Sequence, residues 1–231
     1  MGIVDIVIGS NDVAQVVAAA RHLPPAEESY LETDFIMNLL ETVLDYQMHT
    51  TAVVRALEHF REHRWDEIRT LDDLDAVFAR YTHDQEGNTA LAQYLWRYNM
   101  WTRAHQLRDL AAYFREIGVV DQDSLRRWAE QSQFRLDFEG KVKGLGIAVY
   151  HWLVMRQGVD TVKPDVHIHR FAEAAIGRRL SDGEVVRVVA EAAHQLGLKA
   201  YELDWRIWEA SRGGGLAYPK PEPHSGSAGS A

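Results

Sequence analysis

Val142-Lys-Gly-Leu-Gly-Ile-Ala-Val-Tyr150, followed by Lys163-Pro-Asp-Val-His-Ile-His-Arg170, decides how this chain is read. Gly144 and Gly146 sit two apart at the opening of an apolar helix. Glycines at such a point permit positive φ and close approach of another backbone. Exposed N–H groups at the following helix start can bind a phosphate oxygen. Lys143 adds a positive charge at the tip of the turn. Standing alone, Gly-x-Gly is an ordinary turn between antiparallel helices. The second segment presents a single acid, Asp165, just before another helix. Asp is a frequent N-cap, and a capped carboxylate is also held ionised and aimed. One segment can hold a phosphate backbone while the other does chemistry beside it.

Outward from these segments, apolar residues recur at helical spacing almost throughout, and strand-like alternation is scarce. The spacing predicts an all-α protein. Asp34–Phe60 carries the broadest apolar face, through Phe35, Ile36, Leu39, Leu40, Val43, Leu44 and Met48, continued by Val53, Val54 and Leu57. Thr70-Leu-Asp-Asp reads as a capped start. Helices follow over Asn88–Tyr98 and Thr102–Ile117, the second closed by Gly118. Asp123 or Ser124 caps another that runs to Gln131. Ala148–Arg156 follows the hairpin and ends at Gly158. Pro164 lies near the start of a helix that reaches about Ile176, and Ser181-Asp-Gly-Glu184 matches a capping box before Val185–Leu196. Tyr201–Ser211 is the last helix. The first eight residues read as a strand or an apolar arm, and residues 213–231, rich in Gly, Ser and Pro, as a flexible tail.

Composition sets the outer limits. The 231 residues are 46% hydrophobic and 26% charged, enough for a substantial core. Cys is absent, which excludes disulfides, thiolate catalysis, Cys-ligated zinc and a Cys-held iron–sulfur cluster. No apolar run reaches membrane-spanning length, and Met1–Ile8 lacks a basic leader, so an intracellular protein without a membrane partner is expected. The net charge of -9 argues against a general nucleic-acid coat. It is unevenly spread: residues 1–134 hold 12 Lys/Arg against 22 Asp/Glu, whereas Arg135 to Arg212 holds 12 against 11. The half with the hairpin therefore repels phosphate least.

The two opening segments together resemble the helix-hairpin-helix superfamily of DNA base-excision glycosylases. The family pattern is Leu-Pro-Gly-Val-Gly-x-Lys, an apolar helix, then Val-Asp-Thr-His-Val-x-Arg. Here the hairpin positions read Val142-Lys143-Gly144-Leu145-Gly146-Ile147-Ala148, and the later motif reads Pro164-Asp165-Val166-His167-Ile168-His169-Arg170. Upstream, Phe35–Gln47 resembles the family's early helix and its Gln-containing turn, and Arg103–Phe114 resembles its Lys-Ala-x-x-Ile-x-x-Leu-Ala helix. The likeness runs in order from about Asp34 to Arg212. It departs in three places. Ala148 stands where lyase-competent members carry Lys, the iron–sulfur cysteines are missing, and Lys143 replaces the usual Pro.

The resemblance implies a two-lobed fold. One lobe is a helical barrel over 28–157 that ends in the hairpin, and the other combines 1–27 with 158–212. It implies a monomer acting on duplex DNA with a flipped base, without an organic cofactor. No side-chain metal site is implied, although hairpin carbonyls could hold a monovalent cation. Asp165 falls on the catalytic carboxylate, which stabilises an oxocarbenium-like sugar and activates water. Without the family's Lys, a Schiff-base step is disfavoured. Lys143, Gly144, Leu145, Gly146 and Arg170 are the DNA-binding candidates, while His167 orders the Asp165 loop. A flipped base needs a wedge and an aromatic pocket. Tyr46, Gln47, Trp96, Trp101 and Trp152 are the candidates, with Tyr98 and His151 beside them. For any single aromatic, core packing is the competing role. An aromatic pocket would suit a cationic alkylated purine first, and an oxidised or mismatched base second.

Other signals are weaker. His59-x-x-x-His63 and His167-x-His169 each offer two metal-ligand positions without a third. The rival function is a non-catalytic DNA-binding or structural protein that keeps the fold. The missing Lys, the altered hairpin and the acidic first half all favour it.

Overall fold

The computed structural model describes residues 9–25, 31–46 and 48–212. The N-terminal arm, Gln47 and the tail after Arg212 lie outside the described residues. Eleven α-helices and one π-helical turn make up the described fold, with no strand among the described residues. They are α1 (Ser10–Ala20), α2 (Phe35–Leu44), α3 (Thr50–His63), α4 (Leu71–Phe78), α5 (Gln85–Trp96) and α6 (Trp101–Glu116). Then come α7 (Gln122–Gln131), the π turn Phe134–Phe138, α8 (Ile147–Met155), α9 (Val166–Ile176), α10 (Asp182–Gln195) and α11 (Ala200–Ser211). The protein is all-α, as the apolar spacing predicts. No helix among the described residues is long and apolar enough to cross a membrane.

Two hydrophobic clusters organise these helices. The larger gathers residues between Phe35 and Val154, with Ile36, Leu40, Phe60, Trp96, Phe114 and Phe138 fully enclosed. The smaller joins Val13, Val16 and Val17 of α1 to Ile168 of α9, Val188 and Val189 of α10, and Leu203 and Ile207 of α11. The chain thus returns its first helix to its last three, a pairing far apart in sequence.

Local chemistry explains most boundaries. Thr70 and Ser181 close capping boxes with Asp73 and Glu184. Asp121, not Asp123 or Ser124, caps α7; Ser124 is its capping-box partner three residues on. The apolar face over Asp34–Phe60 belongs to two helices rather than one, because the chain breaks after Leu44. Arg103 donates to the Tyr46 carbonyl, and Asp45 is held by Lys163. Both partners come from distant sequence, so helical periodicity alone carries no mark of the break.

A buried polar tie locks α8 to α2. Arg156 pairs with Glu41 at 2.9 Å, both side chains fully enclosed, and donates to the Asn38 carbonyl at 3.2 Å. Gln157 donates to the Asn38 Oδ1 at 2.9 Å. Buried charge of this kind persists only when it is paired and hydrogen-bonded.

Candidate functional site

The hairpin is built as a turn between the π-helical segment and α8. Gly144 takes φ +88°, and a Cβ there would lie 2.6 Å from the Gln106 side-chain amide. That amide donates to the Lys143 carbonyl at 3.0 Å, so the turn is pinned to α6. Lys143, Gly144 and Gly146 are exposed. Leu145 differs from the expected DNA contact. Its side chain is buried in the larger cluster, and its N–H donates to the Val142 carbonyl at 3.2 Å. Gly146 precedes α8 without a side-chain cap, which leaves the first-turn N–H groups of α8 without a capping side chain.

Asp165 is the N-cap of α9. Its Oδ1 accepts from the backbone N–H of His167 at 2.8 Å and of Ile168 at 3.1 Å. Oδ2 has no hydrogen bond among the described residues. The cap fixes the carboxylate at the wall of a cavity of about 350 Å³. That volume lies within the range of small-ligand pockets. The cavity forms where the two clusters meet. Thr42, Asp45, Tyr46, Ala148, Val149 and Trp152 come from the larger side, and Lys163, Asp165, His167, Asp204, Trp205, Trp208 and Arg212 from the smaller.

Three carboxylates and two fixed cations share this space. Lys163 Nζ pairs with Asp45 at 2.6 Å, and the Lys163 backbone N–H donates to Asp204 Oδ2 at 2.7 Å. Burial alone would lower the Lys163 pKa, but Asp45, Asp165 and Asp204 outweigh it and the net shift is upward. Asp204 goes the other way from an ordinary carboxylate. Burial raises its pKa well above the usual value and the charge on Asp165 adds to this, against the opposing pull of the Lys163 N–H and ammonium. His167 lines the cavity and meets Ser211 through Nδ1 at 2.9 Å.

The aromatic walls already carry cations. Lys163 Nζ lies 4.7 Å from the Trp152 ring centre, Arg103 lies 4.1 Å from Tyr46, and Arg212 lies 4.6 Å from Trp208. Trp205 and Trp208 stack at 5.0 Å with 19° between planes. The buried Trp205 indole N–H has no acceptor among the described residues.

The other sequence-derived candidates are sorted by the fold. Tyr46 and Trp152 line the cavity. Trp96 does not: it is fully enclosed in the larger core, where an apolar helix face puts it. Trp101 is 36% exposed at the start of α6 and does not border the cavity. Tyr98 packs on the larger cluster. His151 bonds Thr161 at 2.8 Å, and burial lowers its pKa to about 4. Arg170 is exposed, without an ion pair among the described residues, beside His169, Arg178 and Arg179 in a shallow depression. His169 is engaged by Asp182 at 2.8 Å and lies 3.5 Å from Glu173. No group of three or more potential side-chain ligands for a metal occurs among the described residues.

Sequence reasoning missed Asp45, Lys163, Asp204, Trp205, Trp208 and Arg212. Lys163 had a signal, standing two residues before Asp165. Asp204 had one too, an acid within the apolar face Leu203, Ile207 of the last helix.

Fold and site together define a class: an all-helical protein with an aromatic, carboxylate-lined cavity at the junction of two helix clusters. The chain belongs to the family described as "Domain of unknown function (DUF8548)", which matches residues 35–212 and so takes in both the hairpin and the cavity. No curated protein and no solved structure matches the chain.

Proposed function

We propose that this chain is a monofunctional DNA glycosylase with a two-lobed helix-hairpin-helix architecture. The observation that carries the reading is the position of Asp165. It caps α9 and borders a cavity sized for a base, whose lining also includes Ala148, Val149 and Trp152 of the helix after the hairpin. Phosphate at the Gly144–Gly146 turn and a sugar at Asp165 would then be served by the two ends of one short path. Asp165 stabilises the developing sugar cation and takes a proton from the attacking water. Tyr46, Trp152, Trp205 and Trp208 receive the flipped base. Arg170 and Lys143 contact phosphates, and the ligand is duplex DNA bound by a monomer.

The cavity does contain an amine, although Ala148 removes the one at the family's position. Lys163 supports the monofunctional reading nonetheless. Its neighbouring carboxylates favour the ammonium form, which has no lone pair for attack on the sugar.

The test is base release from duplexes carrying a panel of lesions, with wild type and Asp165→Asn, each read with and without hot alkali. Wild type is expected to give strand breaks only after alkali, and the variant at least ~100-fold fewer. Breaks without alkali, removed by Lys163→Met and trapped by borohydride, would instead make Lys163 a lyase nucleophile. Duplex binding that needs the hairpin, with no base released from any lesion, would leave a DNA-binding protein without this chemistry.

A further inference from the structure

The cavity holds a second carboxyl group that the Asp165 chemistry does not use. Asp204 sits on α11, 5% exposed, and borders the same space as Asp165. Among the described residues its orientation is fixed at one oxygen, by the Lys163 backbone N–H at 2.7 Å. The ammonium of Lys163 goes to Asp45 instead. Three of the four Tyr and Trp rings that line the cavity, Trp152, Tyr46 and Trp208, already lie against Lys163, Arg103 and Arg212. A positively charged base would meet Lys163 and Arg212 of the lining, whereas an uncharged base with lone pairs would meet the Asp204 carboxyl group.

Resting on the glycosylase reading, we propose that Asp204 is a second catalytic residue, donating a proton to the departing base, and that the substrate is an uncharged base rather than a cationic one. The step balances. The C1′–N bond breaks and its electron pair goes to the base, while the Asp204 proton moves to an acceptor atom of that base. Water adds to C1′ and gives its proton to Asp165. Solvent then reprotonates Asp204 and takes the proton from Asp165. An uncharged base needs this help because it would otherwise leave as an anion, whereas an N7-alkylated purine leaves neutral. The raised pKa of Asp204, from burial first and Asp165 second, favours the protonated form that the step requires. The charged or titratable groups lining the cavity around it are Asp45, Tyr46, Lys163, Asp165, His167 and Arg212, and α10 contributes none to that lining.

The experiment is single-turnover release of hypoxanthine, uracil and 7-methylguanine from duplexes by wild type, Asp204→Asn and Asp165→Asn. Asn keeps an oxygen for the Lys163 N–H, so a melting curve close to wild type is expected. Wild type should release an uncharged base faster than 7-methylguanine. Asp204→Asn should slow the uncharged base ~100-fold or more, and 7-methylguanine less than ~3-fold. Asp165→Asn should slow both. The wild-type rate on the uncharged base should fall with rising pH as Asp204 ionises, and this limb should vanish in Asp204→Asn. Equal slowing of both kinds of base, or no slowing, overturns the Asp204 role and leaves the glycosylase reading standing. Release confined to 7-methylguanine overturns the substrate class. No release of any base by wild type removes the glycosylase reading, and this proposal with it. If Asp204→Asn does not fold, the wild-type pH profile decides: the absence of an alkaline fall overturns the proposal.

Discussion

Two ion pairs, one helical turn apart at the end of α2, do different work. Glu41 pairs with Arg156 at 2.9 Å, with both side chains fully enclosed. Four residues on, just past the helix, Asp45 pairs with Lys163 at 2.6 Å, with side chains 11% and 19% exposed. Both cations lie against Trp152, at 5.4 Å and 4.7 Å from its ring centre. The chemistry is nearly the same and the surroundings are not. Arg156, itself fully enclosed, donates to the Asn38 carbonyl and the Thr42 hydroxyl. Lys163 borders a cavity with two further carboxyl groups, Asp165 and Asp204. A pair sealed in the core fixes one packing arrangement. A pair at a cavity wall sets the charge that an incoming ligand meets.

The comparison breaks most readily at the sealed pair. Arg156→Leu leaves Glu41 as a buried charge without its guanidinium, which costs roughly 3–5 kcal/mol. The denaturation midpoint should fall accordingly. The double variant Arg156→Leu with Glu41→Leu should recover much of that loss, since replacing both charges removes the stranded one. A single variant of wild-type stability would place the core tie and the cavity pair in the same category and end the distinction.

Lys163→Met tests the other side. Its pair is more open than the sealed one but still largely enclosed, so the stability loss should be about 1–2 kcal/mol, below that of the sealed pair. The larger loss should appear in chemistry, about 100-fold in base release, equivalent to ~2.7 kcal/mol of barrier. Without the ammonium, the carboxylates of Asp45 and Asp165 repel one another across the cavity, which disturbs the placement of Asp165 that catalysis needs. Single-turnover rates alongside urea melts separate the two quantities. A stability loss matching the rate loss would make Lys163 another core tie.

These two pairs also mark what could be read from the sequence. The apolar spacing and the Thr70, Ser181 and Asp165 caps rest on neighbours within four residues, so they are legible in a linear string. Asp165 was legible twice, as a cap and by its place in a motif. The break after Leu44 was not, because the groups that hold Tyr46 and Asp45 there, Arg103 and Lys163, stand 57 and 118 residues away in the chain. The cavity suffered the same way. Trp96 and Trp152 look alike as aromatic residues on apolar helices, yet one is enclosed in the core and the other borders the cavity. Only the packing of α11 against α9, and of the Lys163 segment against α2, brings Asp204, Trp205 and Trp208 beside Asp165. Periodicity tells that a helix has a buried face; it does not tell which partner leaves a gap there.

The smallest expected effect lies at the hairpin, where a change can spare both ion pairs. Gly144 has φ +88°, and a Cβ would stand 2.6 Å from the Gln106 amide that holds the Lys143 carbonyl. Gly144→Ala therefore strains the backbone by roughly 1–2 kcal/mol and displaces one hydrogen bond. Gly146 has φ -102°, and a Cβ there meets nothing within 4 Å. Gly146→Ala should stay within about 0.5 kcal/mol of wild type. On the glycosylase reading, Gly144→Ala should weaken duplex binding several-fold in a titration. At saturating protein, the single-turnover rate should remain close to wild type, because Lys163, Asp165 and Asp204 are untouched. A fall in that saturated rate would mean that the turn shapes the cavity itself, through Ala148 and Val149 of the helix it opens. The hairpin would then belong with the Lys163–Asp45 pair rather than apart from it.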